Sequence, residues 1–221
     1  MKNINAVLFD MDGLLLDTER IALATFVEAC RVHHFEPDVA VYLKCIGTKD
    51  TRTREILLEG YGKEFPFQPV YDLWRRKYSE ETSTKPIPLK AGALDLLHRL
   101  EEEGLKRAVV TSTRQESALQ KLSHTEVLGF FDFVIGGDQV LNGKPDPEIY
   151  LTACGKLGEE PGMCLALEDS DNGVLSATRA GLTVIQVPDL KEPSGEVKAL
   201  GHKIVRSLAD VLELIRTTKY Y

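Results

Sequence analysis

Short apolar runs, each stopped by a polar or glycine cluster, constrain the fold of this chain more than any other feature. They cover residues 4–9, 108–110, 133–135, 164–167 and 184–187, with a further run at 202–205. Such runs suit strands buried on both faces of a sheet. Helical spacing fills the intervals between them. Residues 92–103 set Leu94, Leu97 and Leu100 along one face and stop at Gly104. Residues 147–157 follow Asp146 as a cap, with Pro147 in the first helical position. Residues 172–180 stop before Gly181, and 208–215 form a last helix. This alternation predicts an α/β fold, a Rossmann-like parallel sheet with right-handed crossovers and helices on both faces.

Residues 16–87 break the alternation. Stretches 18–31, 48–58 and 70–78 read as helices, and no strand-like run separates them. Pro66, Pro69, Pro86 and Pro88 mark the turns. At roughly 70 residues this is an inserted helical domain rather than a loop. The expected organisation is therefore a core of 1–15 with 88–221 and an insert of 16–87, within the 221 residues of the chain.

Lys and Arg number 27 against 34 Asp and Glu, for a net charge of −7. That sign argues against a nucleic-acid or anionic-membrane partner. Four widely spaced cysteines, Cys30, Cys45, Cys154 and Cys164, form no CxxC pair and read as buried thiols in a reducing compartment. Nothing at the N-terminus resembles a signal peptide, and no stretch approaches a membrane span, so a cytoplasmic location is expected.

Acidic and hydroxyl residues gather at the ends of the predicted strands. The first run leads into Asp10-Met11-Asp12-Gly13. Two carboxylates about 4 Å apart repel by roughly 4 kcal/mol at an effective dielectric of about 20, so the pair calls for a cation or a shared proton. Asp12-Gly13 also reads as an ordinary turn. The fourth run leads into Glu168-Asp169, which suits either a hard cation such as Mg2+ or the acidic start of a helix. Val110 precedes Thr111-Ser112-Thr113, which fits phosphoryl oxygens or a helix cap. Lys144 stands between turn residues in Gly143-Lys144-Pro145, placed for a phosphate or for solvent. Ligands of open parallel sheets bind at these strand ends.

Taken in chain order, FDMDGLLLDTE, VVTSTR, GKPDPEIY and EDSDNG resemble the four motifs of the haloacid dehalogenase superfamily of phosphohydrolases. The resemblance spans nearly the whole chain. It extends to the group of beta-phosphoglucomutases, pseudouridine 5'-phosphatases and small sugar-phosphate phosphatases. It implies that 16–87 is a four-helix-type cap. It implies Asp10 as nucleophile forming an aspartyl-phosphate, Asp12 as acid and base, and Thr111, Ser112 and Lys144 as phosphate-binding groups. Mg2+ would be held by Asp10, Glu168 and Asp169 with the backbone carbonyl of Asp12.

Asp12 separates this pattern from the dehalogenases and phosphonatases of the superfamily, which lack the second aspartate. The related mutases carry a cap histidine shortly after the Asp17-Thr18-Glu19 region, and none stands there in this chain. The expected activity is a phosphatase acting on a small metabolite: a sugar phosphate, a nucleoside monophosphate or a phospho-acid. A sugar-phosphate mutase is the alternative. A phospho-receiver module is a third reading, disfavoured by Asp12 and the insert. Asp17, Glu19, Lys44, Gly47, Thr48, Lys49 and Arg114 are the candidates for substrate specificity. A monomer or weak dimer is expected.

Overall fold

The computed structural model describes residues 4–48 and 50–217. The chain divides into two compact units, one of Thr18–Lys85 and one built from the segments before and after it.

The larger unit is a parallel sheet. Its strands are β1 (Ala6–Phe9), β2 (Lys106–Val110), β3 (Phe133–Ile135), β4 (Cys164–Glu168), β5 (Thr183–Gln186) and β6 (Lys203–Ile204). The order β3-β2-β1-β4-β5-β6 places β1 at the centre, paired in parallel with β2 and β4. All four residues of β1 are fully buried, as expected for a strand covered on both faces. Phe9 pairs with Val109 and with Leu167, so the three central strands end at one level.

Each predicted strand run is a strand, and the helices lie on both faces. On one face Ala6, Leu8, Ala108, Val110 and Ala166 form a core with α7 (Glu148–Leu157) and α8 (Asp171–Arg179), through Ile149, Tyr150, Ala153, Val174 and Ala177. Val7, Phe9, Val109 and Leu167 alternate to the other side. There α5 (Ala93–Glu102) contacts β2 and α10 (Leu208–Thr217). Each fully buried Leu, Ile or Phe contributes about 1.5–3 kcal/mol of transfer free energy. α7 begins one residue later than its Asp-Pro start suggests. Pro147 therefore takes the cap position expected of Asp146, which stands one residue earlier and accepts from the Glu148 N–H through Oδ1 at 3.0 Å.

The smaller unit holds four helices among the described residues: α1 (Thr18–Val32), α2 (Val39–Cys45), α3 (Asp50–Tyr61) and α4 (Phe67–Thr84). Sequence spacing marks the first, third and fourth but not α2, which has only seven residues. α2 is fixed locally by the Asp38 cap, whose Oδ1 accepts from the Ala40 N–H at 2.8 Å. Tyr42, Phe26, Ile56, Leu57 and Val70 share one buried cluster. The Trp74 ring meets Phe26 edge-on at 5.2 Å, and its indole N–H donates to the Ala22 carbonyl at 2.9 Å. No described helix is long and apolar enough to cross a membrane.

Candidate active site

The carboxyl ends of β1, β2 and β4 converge on one lysine. Lys144 Nζ donates to Asp10 Oδ1 at 2.6 Å, to Glu168 Oε1 at 2.6 Å and to the Val110 carbonyl at 2.9 Å. All three ammonium protons are therefore used. The residues just after Lys144 are held from α8. Arg179 donates to the Pro145 carbonyl at 2.8 Å, and the Ser176 hydroxyl donates to the Asp146 carbonyl at 2.5 Å. A solvated loop lysine is excluded: the side chain is 4% exposed.

Burial sets the electrostatics. It raises the Asp10 carboxyl to about 7, against the opposing pull of Lys144 and with a further push from Glu168. Burial also presses on the Lys144 ammonium, but the Asp10 and Glu168 carboxylates outweigh it and hold lysine protonated above its ordinary range. Tyr150, on the buried face of α7, donates its hydroxyl to Glu168 Oε1 at 2.6 Å. Burial and then the Glu168 charge raise that phenol well above its usual range.

Glu168 Oε1 thus accepts two bonds, while Oε2 is buried with no hydrogen-bond partner among the described residues. Asp10, Glu168 and Asp169 each offer an oxygen, and the three lie within 4.8 Å of one another. An unpartnered buried carboxylate oxygen beside two further carboxylates fits a hard divalent cation. The Asp12 carboxylate lies outside that group. Its Oδ2 accepts from the Thr113 hydroxyl at 2.6 Å and its Oδ1 from Lys121 Nζ at 2.7 Å. The metal role expected of Asp12 involved its backbone carbonyl, not these oxygens.

Thr111 is buried at the end of β2, and its Oγ1 accepts from the Thr113 N–H at 3.1 Å. Ser112 is exposed, and its carbonyl packs against Gly137. Arg114 is exposed at the start of α6 (Gln115–Ser123), 3.9 Å from Asp138. Asp17 lies 3.7 Å from Lys90. Glu19 sits in the first turn of α1. Thr48 bonds to the Cys45 carbonyl and to Thr53, after Gly47 at φ +75°. Lys44 lines a groove between α2 and α3. Lys49 lies outside the described residues.

Three polar groups of the site escape sequence reasoning: Lys121, Thr113 in its contact with Asp12, and Tyr150. One signal was readable. Ala118, Lys121 and Leu122 are the buried positions of α6, and a lysine at core-facing helical spacing needs a partner.

The chain matches the model of the haloacid dehalogenase-like hydrolases over residues 7–187. It is 31% identical over 183 residues to a phosphorylated carbohydrates phosphatase of Thermotoga maritima, covering 81% of this chain and 82% of that protein. It is 31% identical over 220 residues to a probable pseudouridine-5'-phosphatase of Drosophila melanogaster, covering 95% and 92%. The crystal structure of CbbY from Rhodobacter sphaeroides in complex with phosphate superposes with a TM-score of 0.70 at 25% identity, covering 94% of this chain and 96% of that one. The chain belongs to the haloacid dehalogenase-like hydrolase family. It is a hydrolase, and these relatives are named as phosphatases.

Proposed function

We propose that the protein is a Mg2+-dependent phosphomonoesterase that hydrolyses a small phosphorylated metabolite through an aspartyl-phosphate on Asp10. One observation carries this reading: a buried Asp10–Lys144–Glu168 cluster at the strand ends, with a second aspartate two residues beyond the first. The relatives named for phosphorylated carbohydrates and for pseudouridine 5'-phosphate support sugar and nucleoside monophosphates as the substrates to try first.

The residues divide the work as follows. Lys144 ties Asp10 Oδ1, which leaves Oδ2 to attack phosphorus. The Asp10–phosphorus bond forms as the bond to the leaving alcohol breaks. Asp12 in its carboxylic-acid form gives its proton to that alcohol oxygen and becomes a carboxylate. The carboxylate then takes a proton from the water that attacks phosphorus, the Asp10–phosphorus bond breaks, and inorganic phosphate leaves with Asp12 restored as the acid. The Thr111 hydroxyl oxygen already accepts a backbone N–H, so its proton is available to a phosphoryl oxygen. Lys144 holds a fixed positive charge where phosphoryl charge develops. Mg2+ held by Asp10, Glu168 and Asp169 would neutralise part of that charge.

The test is phosphate release from a panel of sugar phosphates, nucleoside monophosphates and phospho-acids with added Mg2+. Release that depends on Mg2+ and disappears in Asp10→Asn supports the reading. No release from any ester, or full activity in Asp10→Asn, overturns it. Isomerised phosphoester without net phosphate identifies a mutase instead.

A further inference from the structure

We infer that Lys121 is a positioning residue which, together with Thr113, aims the Asp12 carboxylate for proton transfer. This rests on the reading of Asp12 as the acid–base group of the site.

Lys121 occupies an unlikely place for an ammonium. It stands on α6 between Ala118 and Leu122, both fully buried, and is itself 7% exposed. A leucine or methionine would suit that helical face, and burying a lysine there is unfavourable unless its charge is matched. The match comes from a residue 109 positions away in the chain, Asp12, at 2.7 Å. Thr113 closes the arrangement from the other side at 2.6 Å.

The two contacts fall on different oxygens of one carboxylate. A single contact leaves a short side chain free to rotate about its terminal bond. Two contacts from different elements fix the plane of the carboxylate. One anchor is the loop after β2, which also carries Thr111, and the other is the helix that follows it. The carboxylate that takes a proton from the attacking water is thereby referred to the same β2–α6 segment that presents the phosphate-binding threonine. Proton transfer falls steeply when donor and acceptor are misplaced, and a positioned acid–base group is worth about 10²–10⁴ in rate. The contacts of Lys121 and Thr113 are to the Asp12 carboxylate, whereas Lys144 holds Asp10 and Glu168, so their loss should act first on Asp12.

The experiment measures steady-state and rapid-mixing kinetics with p-nitrophenyl phosphate and Mg2+ on the full chain. Wild type, Lys121→Met, Lys121→Arg, Thr113→Val and Asp12→Asn are compared. Lys121→Met is expected to lower kcat about tenfold or more with KM changed less than about threefold. A burst of nitrophenolate should appear because water attack on the phosphoenzyme becomes slow. Lys121→Arg should recover most of the rate. Thr113→Val should show the same kcat-only defect without leaving a buried charge, so it decides the matter if Lys121→Met does not fold. A kcat within about twofold of wild type in both Lys121→Met and Thr113→Val, while Asp12→Asn is inactive, overturns the positioning role and leaves the phosphatase reading standing. So does a loss expressed as a rise in KM. Full activity in Asp12→Asn overturns the reading of Asp12 itself.

Discussion

The Glu168 carboxylate lies directly against the Cα of Gly173. A β-carbon at 173 would sit 1.8 Å from Oε2 and 2.0 Å from the carboxyl carbon. Gly173 is in the first turn of α8, whose Ser170 cap accepts from the Gly173 N–H. Only glycine lets the helix start this close to the strand end, and with it Glu168 meets Lys144 and Tyr150 at 2.6 Å each.

Gly173→Ala should therefore displace Glu168 and weaken both contacts. The expected cost is about 3 kcal/mol, a fall in Tm of about 6–12 °C for a chain of this size. Phosphate release should fall about a hundredfold or more, because Lys144 loses one of its two anionic partners. Thermal melts and a steady-state assay check both. An alanine variant with unchanged Tm and rate would show that Glu168 can swing aside without consequence.

The Asp10 carboxyl titrates near 7 in the folded chain against 3.8 as its ordinary value, mainly through burial. The folded state thus binds this proton more tightly than the unfolded state. The associated stability is fully present below about pH 4 and is lost as pH rises through about 7. In the metal-free protein Asp10→Asn removes that loss. It should raise Tm relative to wild type near pH 8, with the difference shrinking as pH falls toward 4. Melts across this range check the sign. A destabilised Asp10→Asn at pH 8 would mean that the Lys144 pair outweighs burial.

Tyr150→Phe keeps the ring against the core and removes only the hydroxyl on Glu168 Oε1. The expected cost is about 1–2 kcal/mol, with kcat reduced by about tenfold or less. The Phe variant should bind inorganic phosphate as wild type does, which isothermal titration would show. A complete loss of activity would assign Tyr150 a direct role in the reaction.

Mg2+ should stabilise the folded chain by about 2.7 kcal/mol at a hundred times its dissociation constant. That gain should weaken as pH falls below about 7, because the cation competes with the Asp10 proton. Asp169→Asn should reduce the gain without altering the Asp10–Lys144 contact. Melts with and without Mg2+, repeated in excess chelator, test this. A gain independent of pH and of Asp169 would place the cation elsewhere.

Much of this arrangement is legible in the sequence because parallel strands leave a plain trace. Residues 6–9 and 164–167 are apolar without alternation, and each run leads into the acids that the structure brings together. What is not legible depends on partners far along the chain. The spacing of Lys121 with Ala118 and Leu122 asks for a partner but does not name one until the fold sets Asp12 beside it, and a tyrosine at 150 reads as core until its hydroxyl meets Glu168. The helix α2 is hidden for a different reason: seven residues carry too few turns to show a period, and their helicity comes from the Asp38 cap and packing against α3. Gly173 reads as a helix-start glycine in EDSDNG, and only the closeness of Glu168 gives it a reason.

The aspartyl-phosphate itself can be sought by rapid acid quench of a single turnover with a reactive phosphate ester, followed by peptide mass spectrometry. A transient phosphoryl group on the peptide containing Asp10, absent in Asp10→Asn and longer-lived in Asp12→Asn, is the expected result. Turnover by wild type with no phosphoryl group on Asp10 at any time, while Asp10→Asn still releases phosphate, would contradict it.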